Sequence, residues 1–138
     1  MSRDDVFLRI RTYIKSNYQL LDNDDFVLGE APFNSRCHIN SVQKIKEGKA
    51  TKVLLCFAID KTNNSQCIHF INQLKDGKYQ DNTWGWVYET TEYYLIRETS
   101  KTEQQKIWDV LQDTKKSLLY LHSNWLERFL FRIKFDDL

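Results

Sequence analysis

Cys37, His69 and Asp81 are the residues whose types and order could support nucleophilic catalysis. The run from 34 to 42 predicts that Cys37 lies in the first turn of a helix, where the partial positive charge of the helix N-terminus favours a thiolate. His69 follows in a strand-like run, and Asp81 opens a turn. A cysteine hydrolase or acyltransferase needs a thiolate, a base that takes and returns its proton, and a group that orients the base. The three residues therefore predict a Cys-His-Asp triad.

Two positions of this triad have competitors nearby in the sequence. Asn82 could orient the imidazole in place of Asp81, because the register of the intervening hairpin decides which side chain faces His69. His38 is a rival base, but neighbouring residues on a helix point about 100° apart, so it ranks below His69. The other two cysteines are interpreted as small apolar core residues, as buried cysteines commonly are. They are Cys56 and Cys67.

The composition narrows the class of protein. A chain of 138 residues is the size of one domain, which we expect to span 1–138, and its net charge of +1 supplies no global attraction for nucleic acid. Three cysteines without a secretory signal predict free thiols in a reducing cytoplasm. No apolar run approaches about 18 residues, so we expect no membrane partner. No Cys/His cluster has zinc spacing, and the proposed chemistry needs no cofactor or metal.

The elements that would position these residues can be predicted in chain order. Apolar spacing predicts helices over 4–21 (capped by Asp4 or Asp5) and over about 35–47, the latter capped by Asn34 or Ser35 and ended by Gly48. A long helix should begin at Ser100, whose Ser-x-x-Glu pattern is a capping box. A shorter one should follow over 125–135, with its apolar side chains packed on the domain or on a partner.

The middle of the chain predicts strands. They are expected over 52–59, 66–73, 78–80 and 93–97, with an Asp-Gly turn at 76–77 and an aromatic turn or short strand at 83–87. Connections of hairpin length favour antiparallel pairing. We therefore expect an α+β fold, in which helices pack on an antiparallel sheet of about four strands.

Four segments resemble a known family. These are Cys37–Val42, Glu47-Gly48 before an apolar strand, His69–Asn72 and Gly77–Thr83. They look like the core of the transglutaminase-like branch of the papain-like cysteine enzymes, which has a Cys at a helix start, a His followed by an aromatic residue, and an Asp-x-Thr after a hairpin. The resemblance covers roughly residues 34–84. It implies a papain-like core with Cys37 as nucleophile, His69 as base, Asp81 as orienting group, and a backbone amide near Cys37 in an oxyanion hole.

The sequence thus predicts a thiol-dependent hydrolase or acyltransferase acting on an amide, peptide or thioester. Further substrate contacts are expected from Asn34 and Asn40 beside the nucleophile and from Trp84 and Trp86 in the aromatic turn. The alternative is a non-catalytic binding or inhibitor protein with an enzyme-like core, such as one encoded by a phage or mobile element. Either would act on a protein or peptide. Nucleic-acid binding is disfavoured because no aromatic-interleaved basic motif is present.

Overall fold

The computed structural model describes residues 2–138 as helices packed against a sheet. Its α-helices are α1 (Arg3–Asn17), α2 (Cys37–Lys46), α3 (Lys101–Gln105), α4 (Ile107–His122) and α5 (Trp125–Leu130). Its strands are β1 (Gln19–Leu20), β2 (Phe26–Val27), β3 (Lys52–Asp60), β4 (Gln66–Gln73), β5 (Tyr79–Gln80) and β6 (Thr91–Glu98). Short 3₁₀ turns lie at Asn23–Asp25, Gly85–Thr90 and Phe135–Asp137.

The prediction of an α+β fold is confirmed, but the predicted sheet of about four antiparallel strands is wrong. The sheet has six strands in the order β1-β6-β3-β4-β5-β2, and β2 pairs with β5 in parallel. Its centre is the antiparallel set β6-β3-β4. The two additional strands, β1 and β2, are two residues long, too short to show a period-2 pattern in the sequence.

The sheet is covered by apolar contacts on both faces, which explains the continuous apolar run of β3. Alternate β3 side chains pack against α1 and α4 on one face, and the intervening ones pack against Tyr93 and Phe26 on the other. From Val53 to Ile59 every β3 residue is at most 2% exposed. A sheet buried this completely is a rigid base for side chains projecting from β4.

The helix boundaries depart from the predictions at their ends. α1 begins at Arg3 with Ser2 as its cap, not Asp4 or Asp5, and the chain after Tyr18 turns into β1 instead of continuing the helix to 21. Gly48, which has φ +71°, follows α2 as predicted.

The C-terminal third contains more breaks than the apolar spacing indicates. The Ser100–Glu103 capping box is confirmed, but the helix that it opens is interrupted at Lys106 before α4 begins. The second predicted helix ends at Leu130, and the chain then leaves helical geometry, with Arg132 at φ +53°. Among residues 2–138, no helix has the length and apolar character needed to cross a membrane.

Candidate active site

Cys37 is the first residue of α2 and lies at the outer edge of β4. The cap residue Arg36 makes no side-chain cap bond, and the first helical hydrogen bond runs from the Asn40 N–H to the Arg36 carbonyl at 2.8 Å. The amides of the first turn therefore remain available near the sulfur. β5 pairs with β4 only through Asn72 and Gln73, so it leaves the edge of β4 at Phe70 open, and Phe70 lies close enough to influence the pKa of Cys37. Cys37 is 9% exposed.

His69 and Asp81 form a buried pair beside this thiol. The two side chains are 2% and 0% exposed, and His69 Nε2 lies 2.8 Å from Asp81 Oδ2. An ionised carboxylate only accepts hydrogen bonds, so Nε2 carries the proton in this contact. Nδ1 is then the ring nitrogen left for Cys37, and the charges of His69 and Cys37 act on one another. The geometry thus orders the three groups as thiol, imidazole and carboxylate.

Asp81 is held by four donors. Oδ1 accepts the backbone N–H groups of Thr83 and Trp84, both at 2.9 Å. Oδ2 accepts from the Tyr93 hydroxyl at 2.6 Å as well as from His69. Because each contact favours the ionised carboxylate, Asp81 is fixed both in orientation and in charge.

Trp84 covers the imidazole. The two rings stack with their centroids 3.7 Å apart and an angle of 11° between their planes. Stacking restricts rotation of the His69 ring, and the indole face attracts an imidazolium. Trp84 was predicted to contact substrate; in the structure it packs against the candidate base and also lines a cavity, so that prediction stays open.

The electrostatics of the three groups are coupled. Burial raises the pKa of the Cys37 thiol, but the charge of His69, together with hydrogen bonds from His38 and His69, outweighs it and lowers the pKa to about 6. Burial disfavours the imidazolium of His69, yet the charges of Asp81 and Cys37 raise its pKa well above the usual value. The pKa of Asp81 is lowered, because His69 and the hydrogen bonds overcome its burial. These shifts favour a thiolate–imidazolium pair at neutral pH.

The pKa values of the other two cysteines are shifted in the opposite direction, upward. Burial raises the pKa of Cys67 to about 11. The pKa of Cys56, which is fully buried in β3, is raised further by burial and by the charge of Asp81. All three cysteines are free. Only Cys37 is placed to ionise near neutral pH.

Asn82, the alternative orienting residue, points away from the imidazole. Its amide nitrogen donates to Asn72 Oδ1 at 2.9 Å and to Gln80 Oε1 at 3.1 Å, and its oxygen accepts the Glu30 N–H at 3.2 Å. The register pairs Asn72 with Gln80, so successive residues after β5 project to opposite sides. Asn82 therefore joins the loop before α2 to the sheet, and Asp81 alone of the two reaches His69.

Asn34 and Asn40 join the two loops that flank the thiol. Asn40 donates to Asn34 Oδ1 and to Thr83 Oγ1, both at 2.9 Å. Asn34 Oδ1 also accepts the Arg36 N–H at 3.1 Å. Because both amide protons of Asn40 are engaged, its side chain serves to position the loops and has no proton left for substrate in this arrangement.

Trp86 and His38 lie at the periphery. Trp86 is 60% exposed and meets the ring of Phe33 edge-on, with centroids 6.2 Å apart. His38 is buried against Trp108, and its Nδ1 makes no hydrogen bond with any of residues 2–138. Among the groups that lower the pKa of Cys37 against the effect of burial, the charge of His69 ranks first and His38 has a smaller influence.

An apolar cavity of about 270 Å³ opens beside Trp84. It is lined by Phe33, Ala58, Asp60, Ser65, Gln66, Cys67, Trp84, Val87 and Thr91. Cys67 and His69 are alternate residues of β4 and project to the same face of the sheet. The cavity is therefore adjacent to the imidazole side of the site.

Two parts of this arrangement were not anticipated from the sequence. Tyr93 contributes the hydroxyl that shares Asp81 Oδ2, and Asn72 accepts from Asn82 beneath the loop. Tyr93 lies in β6, two strands away from β4, and no local pattern marks a buried tyrosine as a partner of a distant carboxylate. Among residues 2–138 no group of three or more His, Cys, Asp or Glu side chains is arranged to hold a metal ion.

No protein-family model matches this sequence, and no curated protein or solved structure matches it.

Proposed function

We propose that this protein is a thiol-dependent hydrolase or acyltransferase that acts on an amide, peptide or thioester carbonyl through Cys37, His69 and Asp81. One observation carries the proposal. The pKa of the Cys37 thiol, which burial would raise, is lowered to about 6 chiefly by the charge of His69, and the His69 ring is in turn hydrogen-bonded to Asp81 in a buried pair. A group that merely fills a core would show the raised pKa of Cys67.

The reaction follows from the protonation states. The Cys37 thiolate attacks the carbonyl carbon, and the oxygen takes the negative charge near the backbone amides at the start of α2. The tetrahedral intermediate collapses, the bond to the leaving nitrogen or sulfur breaks, and the His69 imidazolium gives its Nδ1 proton to that atom. Neutral His69 then takes a proton from water or an amine, which attacks the acyl-enzyme and releases the thiolate. Asp81 holds the ring and stabilises its charged form.

The fold is part of the same proposal. A Cys at a helix start, a His on a strand, and an Asp directly after the neighbouring strand suit a core of the papain-like, transglutaminase-like kind. Support comes from the position of Cys37 at the first residue of α2 and from the antiparallel pairing of β4 with β5.

The cavity beside Trp84 bears on the substrate. Its walls are mainly apolar, and one of them is Trp84, which stacks on the His69 ring. A branched aliphatic or aromatic group of a substrate would fill a space of about 270 Å³. We therefore expect a substrate with an apolar side chain close to the scissile bond.

The pH dependence of alkylation tests the proposal. Iodoacetamide should label Cys37 with a rate that rises through a midpoint near pH 6, because its pKa is lowered to about 6. In His69→Ala the midpoint should move to about 8.5 or higher. At pH 6.5 the variant should react roughly fivefold more slowly, since its smaller thiolate fraction is partly offset by the greater nucleophilicity of a more basic thiolate. Mass spectrometry of tryptic peptides would give the rate at each cysteine.

Cys67 provides an internal control, because burial raises its pKa to about 11 and its labelling should stay slow below pH 9 in both proteins. Labelling of Cys37 and Cys67 at similar slow rates at pH 6.5 would contradict the proposal. If the pH midpoint of Cys37 alkylation were unchanged in His69→Ala, with the fold intact by circular dichroism, His69 would not be the base.

A non-catalytic binding protein remains the second candidate, favoured by one observation. Trp86 is 60% exposed and, with Phe33 at 52%, forms an aromatic pair at the mouth of the site. Such a pair could anchor a partner protein. Cys37→Ser separates the two functions, since a binding protein keeps its biological effect in that variant and an enzyme loses it.

A further inference from the structure

A cluster of exposed apolar side chains lies far along the chain from the candidate active site. We refer to it as the C-terminal patch; its members are Tyr120, Leu121, Trp125, Leu126, Phe129 and Leu130. Phe129 is 74% exposed, Trp125 71% and Leu121 65%. The patch is formed by the last turn of α4 and by α5, which meet at Ser123. Large contiguous apolar surfaces mark sites of interaction with a partner or a membrane.

Cationic side chains accompany the patch. Between 115 and 134 they are Lys115, Lys116, Arg128, Arg132 and Lys134. The Arg128 guanidinium lies 4.3 Å above the Tyr120 ring and donates to the Ser123 carbonyl at 2.8 Å, so it is fixed at the border of the patch. Arg132 and Lys134 are exposed immediately after α5.

Few acidic side chains lie in the same segment. Glu127, the only acid between 115 and 134, is 4% exposed and paired with Arg9 of α1. Asp137 pairs with Arg3 at 3.2 Å, and two further carboxylates, Asp109 and Asp113, line a cavity with Leu121 on the other flank of the patch. The segment 115–134 itself carries five cations and one buried, paired carboxylate.

We propose that the C-terminal patch docks on an anionic lipid surface. Tryptophan, phenylalanine and leucine side chains bordered by lysine and arginine are the composition of elements that lie in the plane of a membrane interface. The apolar side chains would enter the boundary between headgroups and acyl chains, and the cations would contact lipid phosphates. Such docking needs no spanning helix.

The distribution of charge disfavours a second copy of this chain as the occupant. In a two-fold symmetric dimer the same surface meets itself, so the cations bordering the patch on one copy would face those on the other. Like charges placed together destabilise an interface, whereas a surface of anionic headgroups is attracted to every one of them. The proposal does not depend on the proposed catalytic function.

Sedimentation with lipid vesicles tests this docking. The full chain should bind vesicles of phosphatidylcholine with about 30% phosphatidylglycerol at least tenfold more tightly than vesicles of pure phosphatidylcholine, because each basic residue near the surface is attracted to the anionic headgroups. Raising the salt from about 50 to about 500 mM should weaken binding, since it shortens the screening length. The Trp125→Ser/Phe129→Ser variant should lose at least tenfold in affinity, and Arg132→Glu/Lys134→Glu should lose the preference for anionic vesicles.

A matched control comes from elsewhere on the surface. Leu28 is 66% exposed in the loop after β2, and Leu28→Ser should bind like the unmodified protein. Equal binding of Leu28→Ser and Trp125→Ser/Phe129→Ser would overturn the proposal. A dimer in light scattering that dissociates in Trp125→Ser/Phe129→Ser, with no vesicle binding, would also overturn it and assign the patch to a second copy. If the unmodified protein bound anionic and neutral vesicles equally well, the proposed role of the cations in docking would be overturned.

Discussion

The candidate active site buries charged side chains, whereas the C-terminal patch exposes large apolar ones. At the site, His69 and Asp81 are charged groups with side chains 2% and 0% exposed. At the patch, Trp125 and Phe129 are large apolar groups more than 70% exposed. Charged residues are rarely fully buried unless paired, and contiguous apolar patches are rarely exposed on monomers.

The difference lies in how each departure is compensated. The buried charges are satisfied within the fold, because Asp81 accepts from two backbone amides, a hydroxyl and an imidazole. The exposed aromatic side chains have no such compensation from the described part of the chain, and the surrounding cations add a further surface that attracts anions. A satisfied buried network needs nothing outside the fold, whereas an exposed apolar patch leaves a surface available to a partner.

Among variants that perturb the candidate site itself, the largest effect is expected from Gly29→Ala. A Cβ at position 29 would lie 2.1 Å from the Asp81 carbonyl oxygen, and backbone at both positions would have to move. Overpacking of this kind should lower the free energy of unfolding by about 3 kcal/mol. It should also raise the pKa of Cys37, because displacement of Asp81 weakens its hold on His69. Urea denaturation and the alkylation profile would measure both.

Gly48→Ala is the matched control, because φ is +71° at Gly48 and a Cβ there would meet no atom within 4 Å. It should cost only about 1 kcal/mol, the penalty for a side chain in the left-handed region. If the two glycine variants were equally stable, the close approach of Gly29 to Asp81 would not support the site as described.

A smaller effect is expected from Tyr93→Phe. The variant keeps the buried ring but removes the hydroxyl that donates to Asp81 Oδ2 at 2.6 Å, which should cost about 1–2 kcal/mol of stability. The rate of Cys37 alkylation at pH 6.5 should change little, because Asp81 keeps its contacts with His69 and the backbone.

The neighbouring Tyr94→Phe variant removes a longer bond, 3.3 Å to Glu92, and should cost less than Tyr93→Phe when unfolding is measured in urea. A larger loss for Tyr94→Phe would show that the hydroxyl of Tyr93 is not part of a stabilising network.

The smallest effect is expected from the Trp125→Ser/Phe129→Ser variant in the absence of lipid. Both side chains are mostly exposed, so the free energy of unfolding should change by at most about 0.5 kcal/mol. Phe57→Ala, at a position 0% exposed, should by comparison cost about 4 kcal/mol. A large loss in the double variant would place the patch in the core and contradict its exposure.

The sequence anticipated the long elements well, because their signals are local. β4 was predicted over 66–73 and spans Gln66–Gln73, and Cys37 was expected in the first turn of a helix and is its first residue. Where the partner is distant in the chain, prediction was poorer. β1 pairs with β6 and β2 with β5 across gaps of more than 50 residues, and neither two-residue strand has a pattern of its own.

By itself the sequence determined which residues could supply a nucleophile, a base and an orienting group, since residue type and element type are local properties. Only the tertiary structure decided between Asp81 and Asn82, because that choice depends on the register of β4 against β5. It also placed Trp84 over the imidazole and Tyr93 on the carboxylate. The lowered pKa of Cys37 has the same origin, since charges and burial contributed by separate elements act on the thiol only after they are packed together.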